Sequence, residues 1–431
     1  MEFDLPTIVF AVVFLLLLFS GIAIPFAIAA SAMLFLVMDG GIVSLKALGL
    51  VTWGSSTGFA LTAIPLFVLM AELLLRSGVS DRVYQGLAVL FRWLPGGLLQ
   101  SNIAGSAFFS AVSGSSVTTA AALGTVALPQ LKQQNYDMRM AYGSLAAGGT
   151  LGILIPPSIA LILYGAFTET SIARLFMAGM VPGLLLAACF SAYIFFAALR
   201  KPSIAPSAAG NYSLRIIVKA VVALIPIATL IVMVLGGIYL GVMTPTEAGA
   251  VGALLALGIS LIWGNLSLAV FWDAVQRSVR LTCSLLFIVI SAFIFSYAVE
   301  SAGLGTMLAE WLISMELSQA GFLLAMLVVY IFLGCVIDGV GMMVLTVPLI
   351  FPTLLALGID PVWFGVAMVL LIEIGQITPP LGLNLFVIQG ISNCPLGEVI
   401  KGVIPYYGIM LCFLLVIYLL PDIVLWLPGQ M

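Results

Sequence analysis

The sequence predicts an all-α polytopic membrane protein built from two inverted repeats, each with a re-entrant helical hairpin and a broken helix. Three observations carry that prediction. First, 63% of the 431 residues are hydrophobic and 7% charged, with a mean hydropathy of +1.29, whereas soluble domains hold about 25% charged residues. Second, apolar stretches long enough to span a bilayer, about 20 residues each, follow one another along the chain. Third, many of the 43 glycines and 21 prolines fall inside apolar stretches. In lipid such breakers persist only where the freed backbone groups find protein, water or ion partners.

The elements follow in order. Residues 5–38 read as two helices separated at Gly21–Pro25. No Lys or Arg precedes Lys46 and the start is acidic (Glu2, Asp4), so the first apolar run is expected to be a retained span and not a signal peptide. An amphipathic stretch near 44–57, a span near 59–75 and a short interfacial helix at 82–94 come next. Residues 98–130 are apolar at both ends and small and polar at the centre. A broken span at 138–165 and a span at 172–199 close the first repeat, 1–199. Residues 200–219 carry Arg200, Lys201, Arg215 and Lys219 with no acid, beside Pro202, Pro206 and Gly210, and read as a cytoplasmic linker. The second repeat, 220–431, offers spans near 220–241, 247–264 and 281–300, a second odd region at 320–356, a broken span at 361–389 and a last helix at 403–421.

Proline spacing carries the repeat. Pro129 to Pro156 and Pro352 to Pro379 are both 27 residues, and Pro156 to Pro182 and Pro379 to Pro405 are both 26. One offset of 223 aligns all three pairs, and also Asp137 with Asp360, Gly152 with Gly375, Pro157 with Pro380 and Gly179 with Gly402. Secondary transporters are often built from such duplications, inverted in the membrane.

Composition also removes function classes. With no histidine, histidine-based catalysis, histidine proton relays and most zinc sites are excluded. Cys189, Cys283, Cys335, Cys394 and Cys412 stand far apart and read as small apolar fillers. A net charge of −3 spread thinly argues against nucleic acid, and no phosphate-binding loop suggests direct ATP drive. No catalytic residue and no covalently bound cofactor is expected.

Each repeat has two polar breaks. The hairpin tips are Ser113-Gly-Ser-Ser-Val-Thr-Thr119 and Asp338-Gly-Val-Gly341. The unwound stretches are Gly152-Ile-Leu-Ile-Pro-Pro157 and Gly375-Gln-Ile-Thr-Pro-Pro380. Half-helix N-termini suit an anion. Carbonyls at unwound ends, with Ser and Thr hydroxyls, suit a hard monovalent cation such as sodium. Small-residue stretches in membranes also serve helix packing alone, but breaks at matching points of two repeats favour a site. Asp338 and Glu373 are acids in a region, 281–400, without Lys or Arg; such acids are costly and usually functional. Asp338 reads as a site residue or a helix cap, and Glu373 as an ion ligand or a structural element of the broken helix. A passive channel or uncoupled carrier of small anions is the alternative function, and an aspartyl intramembrane protease a remote one.

Four motifs together resemble a known family. They are Ser113-Gly-Ser-Ser-Val-Thr-Thr-Ala-Ala-Ala-Leu-Gly124, Gly149-Thr-Leu-Gly-Ile-Leu-Ile-Pro-Pro-Ser158, Thr244-Pro-Thr-Glu-Ala-Gly249 and Ile374-Gly-Gln-Ile-Thr-Pro-Pro-Leu-Gly-Leu-Asn-Leu-Phe386. The chain is similar, over essentially its whole length, to the large membrane (DctM-like) subunit of tripartite ATP-independent periplasmic (TRAP) transporters. The resemblance implies a sodium-coupled importer of organic acids in the bacterial inner membrane. It implies a small membrane subunit (DctQ-like) and a periplasmic binding protein (DctP-like) as partners. It also implies a scaffold and a mobile transport domain that moves as an elevator. Carried onto this chain, it nominates Ser113, Ser115, Gly152 and Pro156 for one sodium site and Gly339, Gly375 and Thr378 for another. Ser116, Thr118, Asp338, Thr378 and Asn384 are the candidates for substrate contact. For an acid substrate, either helix N-termini and sodium suffice or Arg174 or Lys401 reaches in.

Overall fold

A computed structural model describes residues 5–206 and 213–431. The acidic start, Glu2 and Asp4, and Gly210 of the linker lie outside the described residues. Among those described, the chain folds entirely into helices, with no strand. Eight of the helical stretches are long and apolar enough to cross a membrane.

The first half opens with α1 (Leu5–Phe19), α2 (Ile24–Gly40), α3 (Lys46–Ser56), α4 (Ala63–Arg76) and α5 (Val79–Phe91). The break between α1 and α2 contains Gly21 at φ +79, a left-handed conformation that glycine reaches without steric cost. Then come the hairpin helices α6 (Leu98–Ser113) and α7 (Ser116–Gln133), the two pieces of the broken helix, α8 (Met138–Leu154) and α9 (Ile159–Thr168), and α10 (Ile172–Arg200).

The second half runs α11 (Leu214–Tyr239), α12 (Pro245–Ile262), α13 (Leu268–Ser301), α14 (Leu304–Ser314), hairpin helices α15 (Gln319–Gly334) and α16 (Gly339–Ala356), broken-helix pieces α17 (Pro361–Ile377) and α18 (Leu383–Ser392), then α19 (Leu396–Leu419) and α20 (Asp422–Leu425). Helix α12 starts on a capping box, in which Thr244 and Glu247 satisfy each other's backbone donors.

Three elements differ from the sequence reading. Helix α11 begins at Leu214, so Arg215 and Lys219 are helical and not part of an irregular linker. Helix α13 is 34 residues long and starts well before residue 281. Its early turns carry Asp273, Arg277 and Arg280, which hides them from a hydropathy window. Asp273 there pairs with Arg277 one turn on and with Arg76 of α4. Helix α14 was not expected at all; it packs against α16.

Four helices match in length across the halves. The hairpin helices are 16 and 18 residues in both, and the broken-helix pieces 17 and 10 in both. Asp137 and Asp360 cap α8 and α17, each accepting two backbone N–H bonds through one carboxylate oxygen. Both Pro-Pro bonds, Pro156-Pro157 and Pro379-Pro380, are cis. Gly78 and Gly303, which follow α4 and α13, both take positive φ.

The halves interlock. Helix α7 packs on α18 while α16 packs on α9; α8 packs on α19 while α17 packs on α10; α4 packs on α12 while α13 packs on α2. Small residues allow the closest crossings. A Cβ on Gly143 would stand 2.0 Å from the Gly402 carbonyl oxygen, so α8 and α19 meet backbone to backbone there. The broken helices form the centre: every residue from Met140 to Leu154 and from Val362 to Ile377 is buried. Helices such as α11 and α12 present large apolar side chains outward, Val232 at 68% and Leu254 at 70% exposure, as lipid-facing helices must.

Candidate functional site

Both hairpin tips reach one cavity. It measures about 330 Å³ and is walled by Ser113–Thr118 of the first tip, Asp338–Val340 of the second, and Gln376 of α17. Helix α4 adds Val68, Ala71 and Glu72, and α13 adds Leu281, Ser284 and Leu285.

The first tip is made by backbone geometry. Helix α6 ends on Gly114 in the left-handed region, and Ser115 caps α7 by accepting the Thr118 N–H. A Cβ on Gly114 would stand 2.9 Å from the Pro157 carbonyl oxygen, so this tip rests on the first break. Around the turn, the Ser113 and Thr119 hydroxyls are 2.6 Å apart and Ser113 Oγ donates to the Ser115 carbonyl at 3.2 Å. Gly152 lies against the same group: a Cβ there would meet the Ser115 carbonyl oxygen at 2.6 Å and Thr119 Oγ1 at 2.8 Å. Ser113, Ser115 and Gly152 are therefore brought together. Pro156 is buried one turn on, beside Gly179 of α10.

The second tip is capped by charge. Asp338 accepts the Val340 N–H at 3.2 Å and starts α16. Gly339 abuts Gln376 Nε2 and Ile372 of α17, at 2.6 and 2.8 Å from where its Cβ would be. Gly375 instead abuts the Tyr330 carbonyl and Gly334 of α15. Thr378 donates to the Ile374 carbonyl at 2.6 Å.

One hydrogen-bonded group ties the first tip to the second half. Ser116 Oγ donates to Gln376 Oε1 at 2.6 Å, lies 3.2 Å from Asn384 Oδ1, and accepts from Asn384 Nδ2 at 3.0 Å. Among the five substrate candidates, Ser116, Thr118 and Asp338 stand on the cavity wall. Thr378 and Asn384 do not line it; Asn384 is fully buried behind Ser116.

Sequence reading did not nominate Gln376, Glu72, or the α4 and α13 wall. Gln376 lies inside the stretch the sequence reads as unwound, so its signal is in the motif, but the structure keeps Gly375, Gln376 and Ile377 in the last turn of α17. The α4 and α13 residues carry no local signal. Neither Arg174 nor Lys401 lines the cavity; Lys401 pairs with Glu398 at 3.3 Å. A neighbouring cavity of about 470 Å³ shares Glu72, Val117 and Thr118 with the first, and Arg76 lines it. Arg76 is held by Glu72 at 3.3 Å and Asp273 at 3.6 Å. Among the described residues no cluster of three His, Cys, Asp or Glu offers a transition-metal site.

Comparison with known proteins agrees with this architecture. Residues 10–423 match the family described as the tripartite ATP-independent periplasmic transporter, DctM component. The chain is 35% identical over 388 residues to the C4-dicarboxylate TRAP transporter large permease protein DctM of Pseudomonas aeruginosa, covering 90% of each chain. It is 31% identical over 414 residues to the sialic acid TRAP transporter large permease protein SiaM of Vibrio cholerae, covering 96% of each. These relatives are named as transport proteins and not as enzymes. In fold it resembles the Alcanivorax borkumensis YdaH transporter, with a TM-score of 0.65, 18% identity and 99% of each chain covered. The apolar helices and the match along nearly the whole chain identify it as a multi-pass protein of the bacterial inner membrane that belongs to the DctM component family of TRAP transporters.

Proposed function

We propose that this chain is the sodium-coupled importing subunit for a small organic acid, and that substrate sits between the two hairpin tips. One observation carries the reading: residues 223 positions apart, Ser115–Ser116 and Asp338–Gly339, meet on the wall of one cavity of about 330 Å³. The substrate class rests on the relatives, which are named for C4-dicarboxylate and sialic acid, both organic acids.

Sodium is the co-substrate. At the first tip, Ser113, Ser115, Gly152 and Pro156 offer hydroxyl and carbonyl oxygens of the kind a hard cation takes. The close set Ser113 Oγ, Thr119 Oγ1 and Ser115 C=O supports that choice. At the second, Gly339, Gly375 and Thr378 offer carbonyls and a hydroxyl. Ser116, Thr118 and Asp338 are the side chains assigned to substrate. The wall bears no Lys or Arg, so helix α7 and α16 N-termini, bound sodium and the nearby Arg76 supply the attraction for an anion. The two halves form inverted repeats joined by the cytoplasmic stretch between α10 and α11. The hairpins and broken helices move as one transport domain against a scaffold, an elevator. Sodium must favour the substrate-competent state for coupling. The partners are a DctQ-like small membrane subunit and a DctP-like periplasmic binding protein, as the tripartite family description implies.

Uptake into proteoliposomes tests this. The chain is reconstituted with its small subunit and binding protein and offered labelled organic acids. Accumulation that needs both an inward sodium gradient and the binding protein is the expected result. Uptake indifferent to both would make it a channel or uncoupled carrier.

A further inference from the structure

Two lateral cavities flank the central one, and they are unequal. The first, of about 470 Å³, lies between α4–α5 and the Val117–Val126 stretch of α7, and shares Glu72, Val117 and Thr118 with the central wall. The second, of about 220 Å³, lies between α13–α14 and the Val347–Pro352 stretch of α16. The repeat offset of 223 carries Thr125 and Pro129 of α7 onto Pro348 and Pro352 of α16, so the two are counterparts. The second shares no residue with the central wall and bears no Lys or Arg. Of the two, the first alone adjoins the centre.

The adjoining cavity carries a free arginine fork. Arg76 closes α4. Its ion pairs with Glu72 and Asp273 are both made through Nε, at 3.3 and 3.6 Å, and its hydrogen bond to Glu72 also leaves from Nε. Among the described residues neither Nη group donates a hydrogen bond. A planar guanidinium offers paired N–H donors that match a carboxylate. Thr118 and Thr125 add hydroxyls, while Glu72 and Asp81 add acids, whose repulsion keeps an anion from lodging there. This end of the fold gathers cations: Arg82 and Lys219 line a groove beside it, and Arg277 pairs with the same Asp273. Such an excess marks the cytoplasmic side.

We propose that the first lateral cavity is the cytoplasmic release path of the organic acid, and that Arg76 draws the acid out of the centre. The departing carboxylate takes the free Nη groups while Nε stays on Glu72. The substrate class and the direction are those of the importer reading; the route and the role of Arg76 are added to it.

Cysteine labelling of the full chain in oriented membrane vesicles tests this with small organic ions as probes, and needs neither sodium nor a binding protein. Val117→Cys places a thiol on the wall common to both cavities. It is treated with two membrane-impermeant methanethiosulfonates, the anionic 2-sulfonatoethyl and the cationic 2-trimethylammonioethyl reagents. Labelling is counted above that of the parent chain, which has five free cysteines of its own. Modification is expected to be faster in inside-out than in right-side-out vesicles. The anionic-to-cationic rate ratio should fall about tenfold with Arg76→Gln and persist with Arg76→Lys. No modification in inside-out vesicles, or modification as fast from the other side, overturns the path whether or not the arginine variants fold. A ratio unmoved by Arg76→Gln overturns the role of Arg76, because a merely structural effect changes both rates alike. Either failure leaves sodium-coupled uptake standing, and a failure of uptake leaves the labelling result standing, so the two readings separate.

Discussion

The two hairpin-and-break units share a backbone and differ in what fills it. Helix lengths, aspartate caps and cis Pro-Pro bonds coincide. The side chains at the tips do not. Ser115 caps α7 with a neutral hydroxyl where Asp338 caps α16 with a carboxylate, and Ser116 bonds across to the other half where Gly339 only touches it. The first break is buried throughout, from Ile155 to Ser158, whereas Pro380 and Leu381 of the second are exposed, Leu381 at 44%. Gly152 presses on the tip of its own hairpin, while Gly375 presses on α15 below the tip. The two units thus share the device that creates free helix ends, while the first is locked and the second more open.

The largest expected effect comes from Gly152→Val. A side chain there runs into the Ser115 carbonyl, and overpacking of this kind costs about 1–3 kcal/mol. Sodium-driven uptake should be lost while the protein still elutes as a folded species; wild-type uptake would show that the first tip is not seated as the contacts imply. Gly375→Val should also lose uptake, through displacement of α15.

Ser116→Ala comes next. It strands the Gln376 and Asn384 amides, a loss of about 1–3 kcal/mol, visible as a lower unfolding temperature. No drop in thermal stability would break the contrast between a locked first tip and an open second one.

Asp137→Ala and Asp360→Ala each remove a helix cap, worth about 1 kcal/mol. Equal losses in paired melting curves are expected, and a clear inequality would undo the equivalence of the two broken helices. Smallest in stability is Asp338→Asn, within about 0.5 kcal/mol, because Asn caps as well as Asp. Its effect should show in transport: with one acid fewer on the cavity wall, apparent affinity for an organic anion rises. Unchanged affinity would remove Asp338 from the site.

Much of this was legible in the chain itself. The 33-residue stretch 98–130 was too long for one span and too short for two, and its small polar centre at Ser113–Thr119 is where α6 turns into α7. Proline spacing located both breaks. What stayed hidden was carried by residues without local signal. The polar early turns of α13 read as loop because Asp273, Arg277 and Arg280 lower the hydropathy, although Asp273 is paired with Arg76 and Arg277 in the fold. Asn384 belongs to the most suggestive motif, yet packing turns it onto Ser116 and away from the cavity.

Composition and spacing alone fix that this is a polytopic helical membrane protein and that its breaks come in pairs. Those properties are local: hydrophobic length sets a span, and proline and glycine interrupt it wherever they stand. That both tips share one cavity, that Val68, Glu72 and Leu285 complete its wall, and that Ser116 bonds a residue 268 positions away emerge from the packed helices alone. Such meetings depend on the rotation and crossing of helices from interlocked halves, which no stretch of sequence encodes alone.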